Sequence, residues 1–467
     1  EDASYGAPFD PSLQVYQWDS FLPGSPNYKK ARAWLPAAND PTAFFEKNLS
    51  SNNSIFLDGG SDKGTFKLGY TRNDDRGVIP NSKVSKNLVN FSGTYNVTPK
   101  LTAGATVNFS NIDGTGRYGT GYDDKNLMTN FRQWWEVNVD VLDQKTEYLR
   151  ELKNATWNMK SGDPFTVTPN FWDNPYFSRF ENFESDSRNR YFGNTNLAYK
   201  LTDWLNLNGR ISLDSYDQIQ EERQAVGSVA TSQYSRFNQS YRETNYQLIA
   251  NLDKNISTDW NFKALLGTAL RHEHTSSIRA ATNGGIIVSR VYALSNSLNL
   301  PNPPVEFDGI REVQGVFAGA TLSWKNMLTL DGTIRRDRSS TLPKANNVYY
   351  YPSVSVGWVV SELMPEATKN WLSYAKVRAN YAEVGNDAPI FSVYDTYLSG
   401  LAPFGSNPQS SVTGTKNNPD LVPEQTKSSE VGLELSMFDS RLGFDFSYYD
   451  AKTIDQIVPV VLSTATG

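Results

Sequence analysis

LNLNGRISLD, residues 205–214, puts Leu205, Leu207, Ile211 and Leu213 on one side of an extended chain and Asn206, Asn208, Arg210, Ser212 and Asp214 on the other. Successive side chains of a strand point to opposite faces, so period two marks a sheet with one apolar and one polar face. The pattern recurs in LTAGATVNFS (101–110), LTLDGTIR (328–335), AKVRANYA (375–382) and LGFDFSYY (442–449). Strands are expected around 88–97, 101–110, 205–214, 246–252, 262–270, 316–324, 328–335, 353–360, 375–382, 430–436 and 442–449, in a total of about fourteen.

The connections are unequal. Very short turns recur at NVTPKLT (96–102), KLTDWLN (200–206), NISTDWN (255–261), SWKNMLT (323–329) and SMFDSRL (436–442), with a longer link at SELMPEATKNW (361–371). Between them lie long segments at 112–185, 220–240, 272–308 and 385–424. Short turns at one end and long loops at the other are the pattern of outer-membrane barrels. Trp260, Trp324 and Trp358 share the parity of the apolar faces near the short turns, and Phe109, Tyr246, Tyr381 and Tyr448 share it nearer the long loops. Two outward aromatic rows suit the two membrane interfaces. The expected fold is all-β, a transmembrane antiparallel β-barrel in the cell outer membrane with periplasmic turns and extracellular loops. Leu207, Ile211, Leu328, Leu330, Phe444 and Phe446 are expected to face lipid. Asn208, Arg210, Asp214, Asp331, Arg335, Lys376, Arg378, Glu434 and Asp445 are expected to face the lumen. A water-soluble sandwich or propeller also alternates, but not with this asymmetry of connections.

Composition agrees. Only 38% of the 467 residues are apolar, yet 13% are aromatic. A disordered chain lacks aromatics, whereas a barrel with a polar interior and aromatic girdles needs them. The net charge of −6 gives no basic surface for nucleic acid. The absence of cysteine excludes disulfides and thiolate metal sites. No apolar run approaches the ~20 residues of a membrane helix. The mean hydropathy of −0.53 would mark a soluble chain, an inference that fails where alternating strands average out.

Motifs that carry chemistry are weak. GTGRYG (114–119) matches the spacing of a dinucleotide-binding loop but follows an antiparallel strand, so its glycines read as loop glycines. His272 and His274 share a strand face without an evident third metal ligand. Asp123, Asp124, Glu136, Asp173 and Glu181 are scattered, and no nucleophile–histidine–carboxylate set is suggested. No catalytic residue, metal or cofactor is therefore expected. The segment 112–185 is rich in aromatics, among them Tyr118, Trp134, Trp135, Trp157, Trp172 and Tyr176. Such rings either hold a ligand or pack the loop itself. Within it, QWWEVNVDVLDQKTEYLREL (133–152) reads partly helical. Trp134, Trp135, Trp172 and Tyr176 are the candidate residues for substrate or partner binding.

IFLDGGSDKGTFKLGYTRNDDRGVIPNSKVSKN (55–87) and WDNPYF (172–177) resemble, respectively, the first barrel hairpins and the Asn-Pro-Tyr-aromatic loop motif of the SusC/RagA family of TonB-dependent outer-membrane transporters. IRRDRSSTLPKANNVYYYPSVSVGWVVSE (334–362) resembles its most recognisable block through Arg336, Asp337, Ser339, Ser340, Pro352, Ser353, Gly357 and Trp358. Arg338 stands where the family usually has glycine, and Tyr351 where phenylalanine is commoner. AKVRANYAEVGN (375–386) and NPDLVPEQTKSSEVGLEL (418–435) follow in family order. The resemblance implies a barrel of about 22 strands with a plug inside. It further implies a SusD-like surface lipoprotein, a TonB complex acting on the plug, and import of oligosaccharides or oligopeptides. No plug, TonB box or signal peptide is recognisable, so residues 1–467 are expected to form a partial barrel domain. A complete porin of about 14 strands remains open on composition alone. The rival function is a SusC-like barrel serving as a structural subunit of a larger outer-membrane assembly.

Overall fold

The computed structural model describes residues 6–461 and 463, apart from 118, 120, 123, 124 and 161–167. Tyr118, Asp123 and Asp124 thus lie outside the described residues. Fourteen strands form one antiparallel sheet: β1 (Leu49–Ser61), β2 (Gly64–Arg76), β3 (Lys83–Thr98), β4 (Leu101–Thr115), β5 (Glu184–Lys200), β6 (Leu205–Gln224) and β7 (Gln233–Asn255). The series continues with β8 (Trp260–Ala281), β9 (Val305–Trp324), β10 (Leu328–Ser339), β11 (Val348–Val359), β12 (Leu372–Asn386), β13 (Glu424–Met437) and β14 (Leu442–Ile454). Every strand pairs with its neighbour in sequence, and β1 and β14 form the two edges. Every strand expected from the alternation is present. No helix among the described residues is long and apolar enough to cross a membrane.

The registers fix the faces. Trp260, Trp324, Leu328, Trp358, Val377, Leu433 and Phe446 lie directly opposite one another across seven strands. Leu322, Leu330, Val356, Ala379, Val431 and Tyr448 form the next apolar row. The other face carries the polar partners: Lys376 opposite Glu434, which is opposite Asp445, and Arg378 donating to Asp445 (2.8 Å) and Ser447 (2.6 Å). Arg335 bonds Asp337 on that face, and Arg190 pairs with Asp214. Parity therefore puts Arg210, Asp214, Arg335, Lys376, Arg378 and Glu434 together, opposite the leucines and aromatics.

From β14 to β1 the short turns climb by about one residue per strand along the hydrogen-bonded rows. With ~3.3 Å per residue and ~4.8 Å between strands, the strands tilt by about 33°. The outward residues of β8 are Trp260, Phe262, Ala264, Leu266, Thr268 and Leu270, then His272 and His274. The apolar part rises about 27 Å after the tilt, close to the apolar band of an outer-membrane barrel. The remaining half of β8 continues above it.

That continuation corrects the expected loops. Strand β6 runs to Gln224 and β7 starts at Gln233, so 220–240 shrinks to a turn at 225–232. Likewise β8 reaches Ala281 and β9 begins at Val305, so 272–308 shrinks to 282–304. Above the apolar band neither face needs hydrocarbon, and these pairs exchange backbone hydrogen bonds without apolar alternation.

Candidate functional site

The connection between β4 and β5 and the segment before β1 gather at one end of the sheet into a cap with its own core. Trp18, Leu22 and Phe44 come from the segment before β1, Val141 and Tyr148 from helix α1 (Val141–Glu151), and Tyr176 and Phe177 from helix α2 (Pro175–Glu181). The segment before β1 is tied to the cap by its backbone: Ala37 N–H donates to the Val137 carbonyl (2.9 Å) and Val141 N–H to that of Asn39 (3.1 Å). Asp140 caps α1 through Leu142 N–H (2.8 Å) while accepting from the Asn39 side chain (2.8 Å). No local signal marks this long-range tie, because polar residues spaced by a hundred positions carry no local period.

Asn174 is the staple of the cap. Its side chain is fully buried and makes four bonds. The amide donates to the Gln144 and Ala155 carbonyls (2.7 Å each), and the carbonyl accepts from Tyr176 N–H (2.9 Å) and Phe177 N–H (3.4 Å). Pro175 supplies the first helical residue, where no N–H is needed. The Asn-Pro-Tyr-Phe stretch is thus a capped helix start that plants two aromatic rings in the core. Arg179, also buried, donates to the carbonyls of Pro80 (3.0 Å), Arg117 (3.0 Å) and Gly116. Burial pulls its guanidinium below the usual arginine range. Gly116 has φ +73°, and a Cβ there would meet the Asn81 carbonyl oxygen at 1.8 Å. The glycine-rich stretch therefore serves a tight exit from β4, as a loop glycine does.

The four candidate aromatics divide. Trp135 and Tyr176 belong to the cap core, at 9% and 2% exposure. Burial pushes the Tyr176 hydroxyl up to about 12. Trp134 and Trp172 are half-buried. Beside them opens a cavity of about 990 Å³, which none of the four lines. Its wall includes Leu22, Arg150, Asn154, Phe177, Glu181 and Arg290. Arg290, from the 282–304 connection, donates to Glu181 (2.7 Å) and to the Leu152 carbonyl (2.8 Å), and Tyr148 donates to Glu181 (3.1 Å). Burial, then the Glu181 charge, raises the Tyr148 hydroxyl. These charged wall residues were not among those singled out by sequence. A charge-lined, partly apolar cavity is suited to holding a polar solute through hydrogen bonds. Among the described residues no group of three or more histidine, aspartate or glutamate side chains is placed to hold a metal. His272 and His274 instead face Glu312 (3.7 Å) and Asp308 (2.8 Å).

Comparison with known proteins gives a consistent family. Residues 135–467 match the model of the TonB dependent receptor-like β-barrel. A TonB-dependent receptor of Formosa agariphila is 23% identical, covering 93% of this chain and 44% of the relative. The TonB-dependent receptor SusC of Bacteroides thetaiotaomicron is 22% identical, covering 91% and 43%. Among solved structures, the RagAB peptide importer in its open-open state superposes with a TM-score of 0.74 at 17% identity, covering 92% of this chain and 47% of that one. The chain thus spans less than half the length of the relatives it matches.

Proposed function

We propose, from the premise that this chain belongs to the TonB-dependent receptor-like β-barrel family, that it forms one arc of a SusC-type importer in the outer membrane. The family consists of receptors and transporters, not enzymes. In this reading the apolar rows face lipid and the face bearing Arg210, Asp214, Arg335, Lys376, Arg378 and Glu434 lines the lumen. Further strands join the open edges β1 and β14 to complete a ring of about 22. The unpaired edges and the greater length of the relatives support this. A plug in the ring is moved by a TonB complex, and a SusD-like lipoprotein closes the extracellular mouth. The cargo is an oligopeptide or an oligosaccharide, solutes too large for open diffusion.

The observation that carries this reading is the cap. It is a separately cored body at the end of the sheet away from the short turns, and it holds a cavity of about 990 Å³. Loops on a rigid scaffold are where binding groups concentrate. Trp134 and Trp172 offer partly open ring faces to cargo or lid, while Trp135 and Tyr176 hold the cap in shape. The test is uptake of fluorescent oligopeptides and oligosaccharides by cells carrying the full-length receptor. Energised import requires that a protonophore abolish uptake and that a single lipoprotein copurify. Uptake unaffected by the protonophore, or isolation only within a multi-subunit assembly with no uptake, would favour a structural subunit.

A further inference from the structure

Immediately above the apolar band, on its own face, lie three exposed arginines. Arg336 and Arg338 follow Ile334 on β10, and Arg242 lies on β7 beyond Tyr246 and Thr244, toward the start of that strand. Parity fixes their direction. Arg336 and Arg338 alternate with Arg335, Asp337 and Ser339, which bond inward, Asp337 with Arg335 and Ser339 with Asp387. Arg336 sits opposite Val316 and Tyr350, and Arg338 opposite Gln314 and Val348, all on the outward face. Among the described residues none of the three arginines has an ion pair or hydrogen bond to the protein. The acids nearest them on this face are engaged: Glu312 accepts from Gln314 (2.8 Å) and faces His272, and Asp308 meets His274.

Geometry places the three at one level once the tilt is allowed for. Arg336 and Arg338 are about 7 Å apart along β10, and Arg242 lies three strands away and four residues above the row of Arg338, about 20 Å from it. Exposed Ile334 and Leu330 lie beneath on β10, and exposed Val316 lies beside Arg336 on β9. An unpaired cation at this height meets neither hydrocarbon nor a protein anion. Its complement is a layer of negative charge riding on acyl chains.

We propose that this surface binds the phosphorylated headgroup of an outer-leaflet lipid. Arg336 and Arg338 hold one phosphate as a pair, Arg242 takes a second, and the acyl chains lie along Ile334, Leu330 and Val316. Arginine suits the role through its fixed charge and bidentate fork. The proposal rests on the membrane orientation given above.

The test uses the full-length receptor and vesicles of phosphatidylethanolamine doped with a bis-phosphorylated diglucosamine lipid or with its phosphate-free form. Association of the labelled lipid is read by quenching. Arg242→Gln/Arg336→Gln/Arg338→Gln should integrate normally yet bind the phosphorylated lipid about a hundredfold more weakly, roughly fivefold per arginine. Lys254→Gln, at the short-turn end of the same face, should change nothing. Salt should weaken wild-type binding, and the phosphate-free lipid should show no preference. Equal binding of the two lipids, or a triple variant that binds as wild type, overturns the proposal. If wild type itself fails to integrate, the membrane orientation falls and the proposal with it.

Discussion

At the scale of single residues the cap depends on a few buried polar side chains whose bonds have no substitute. Asn174→Ala removes both N–H donors and the twice-accepting carbonyl oxygen of a fully buried amide. It should lower the stability of the cap by about 2–4 kcal/mol, since each orphaned buried group costs on the order of 1–3 kcal/mol. Faster amide exchange across α1 and α2, with the sheet unchanged, is the expected readout. Asn174→Asp should fare little better, because a carboxylate keeps the helix cap but cannot donate to Gln144 and Ala155. Asp143 sets a pH dependence. Its carboxyl is raised by burial, then by Asp140, Asp19 and Glu147, with Arg32 opposing. A raised folded-state value favours the folded cap at acid pH, a contribution lost as pH rises through that value. Asp143→Asn should therefore flatten the pH dependence of exchange in the segment before β1 as pH rises from the ordinary carboxylate range through the raised value. An undiminished pH response in that variant would assign the effect elsewhere.

At the scale of elements the strand faces govern insertion. Leu330 is outward and exposed, whereas Thr329 sits opposite Ser323 and Gly357 on the polar face. Leu330→Arg should cost about 2–4 kcal/mol of insertion free energy and Thr329→Arg far less. Heat-modifiable mobility of the full-length receptor refolded into bilayers would measure the difference, and equal folding would contradict the facing. The hairpin turns obey the same twist: Lys325 (φ 51°) and Asn326 (φ 54°) are both left-handed in the β9–β10 turn, as tight hairpins require. Strands were legible in sequence only where they carry the apolar row. The upper halves of β6, β7 and β8 are as regularly paired as the lower halves, but Glu221, Arg236 and His272 leave no alternation to read.

At the scale of the molecule the cap and sheet are separable. β4 and β5 pair along their full length from Leu101–Tyr199 to Thr115–Ser185, so removing 120–180 leaves a short connector between adjacent strand ends. The deleted receptor should insert, while the segment before β1 loses its backbone partners at Val137 and Val141 and becomes open to protease. Uptake of the fluorescent cargo and retention of the lipoprotein should both fall at least tenfold, the scale of a lost binding element worth about 1.4 kcal/mol or more. Normal uptake and lid retention by an inserted deletant would remove the cap from the binding role.

The sequence by itself determined the sheet, its two faces, the short-turn end and the helix in the long loop. Each is written in a local period, whereas the helix that starts at Asn174-Pro175 was not read from the sequence. Tertiary structure decided what has no local period. Trp135 and Tyr176 were as aromatic as Trp134 and Trp172, and only the docking of the segment before β1 against α1 and α2 put the first two in the core. The cavity wall is another such outcome, because Glu181 and Arg290 stand 109 positions apart and meet only when two connections fold over the same sheet. The level of Arg242 with Arg336 and Arg338 is likewise set by register and tilt, which accumulate across strands and so cannot be read from any one of them.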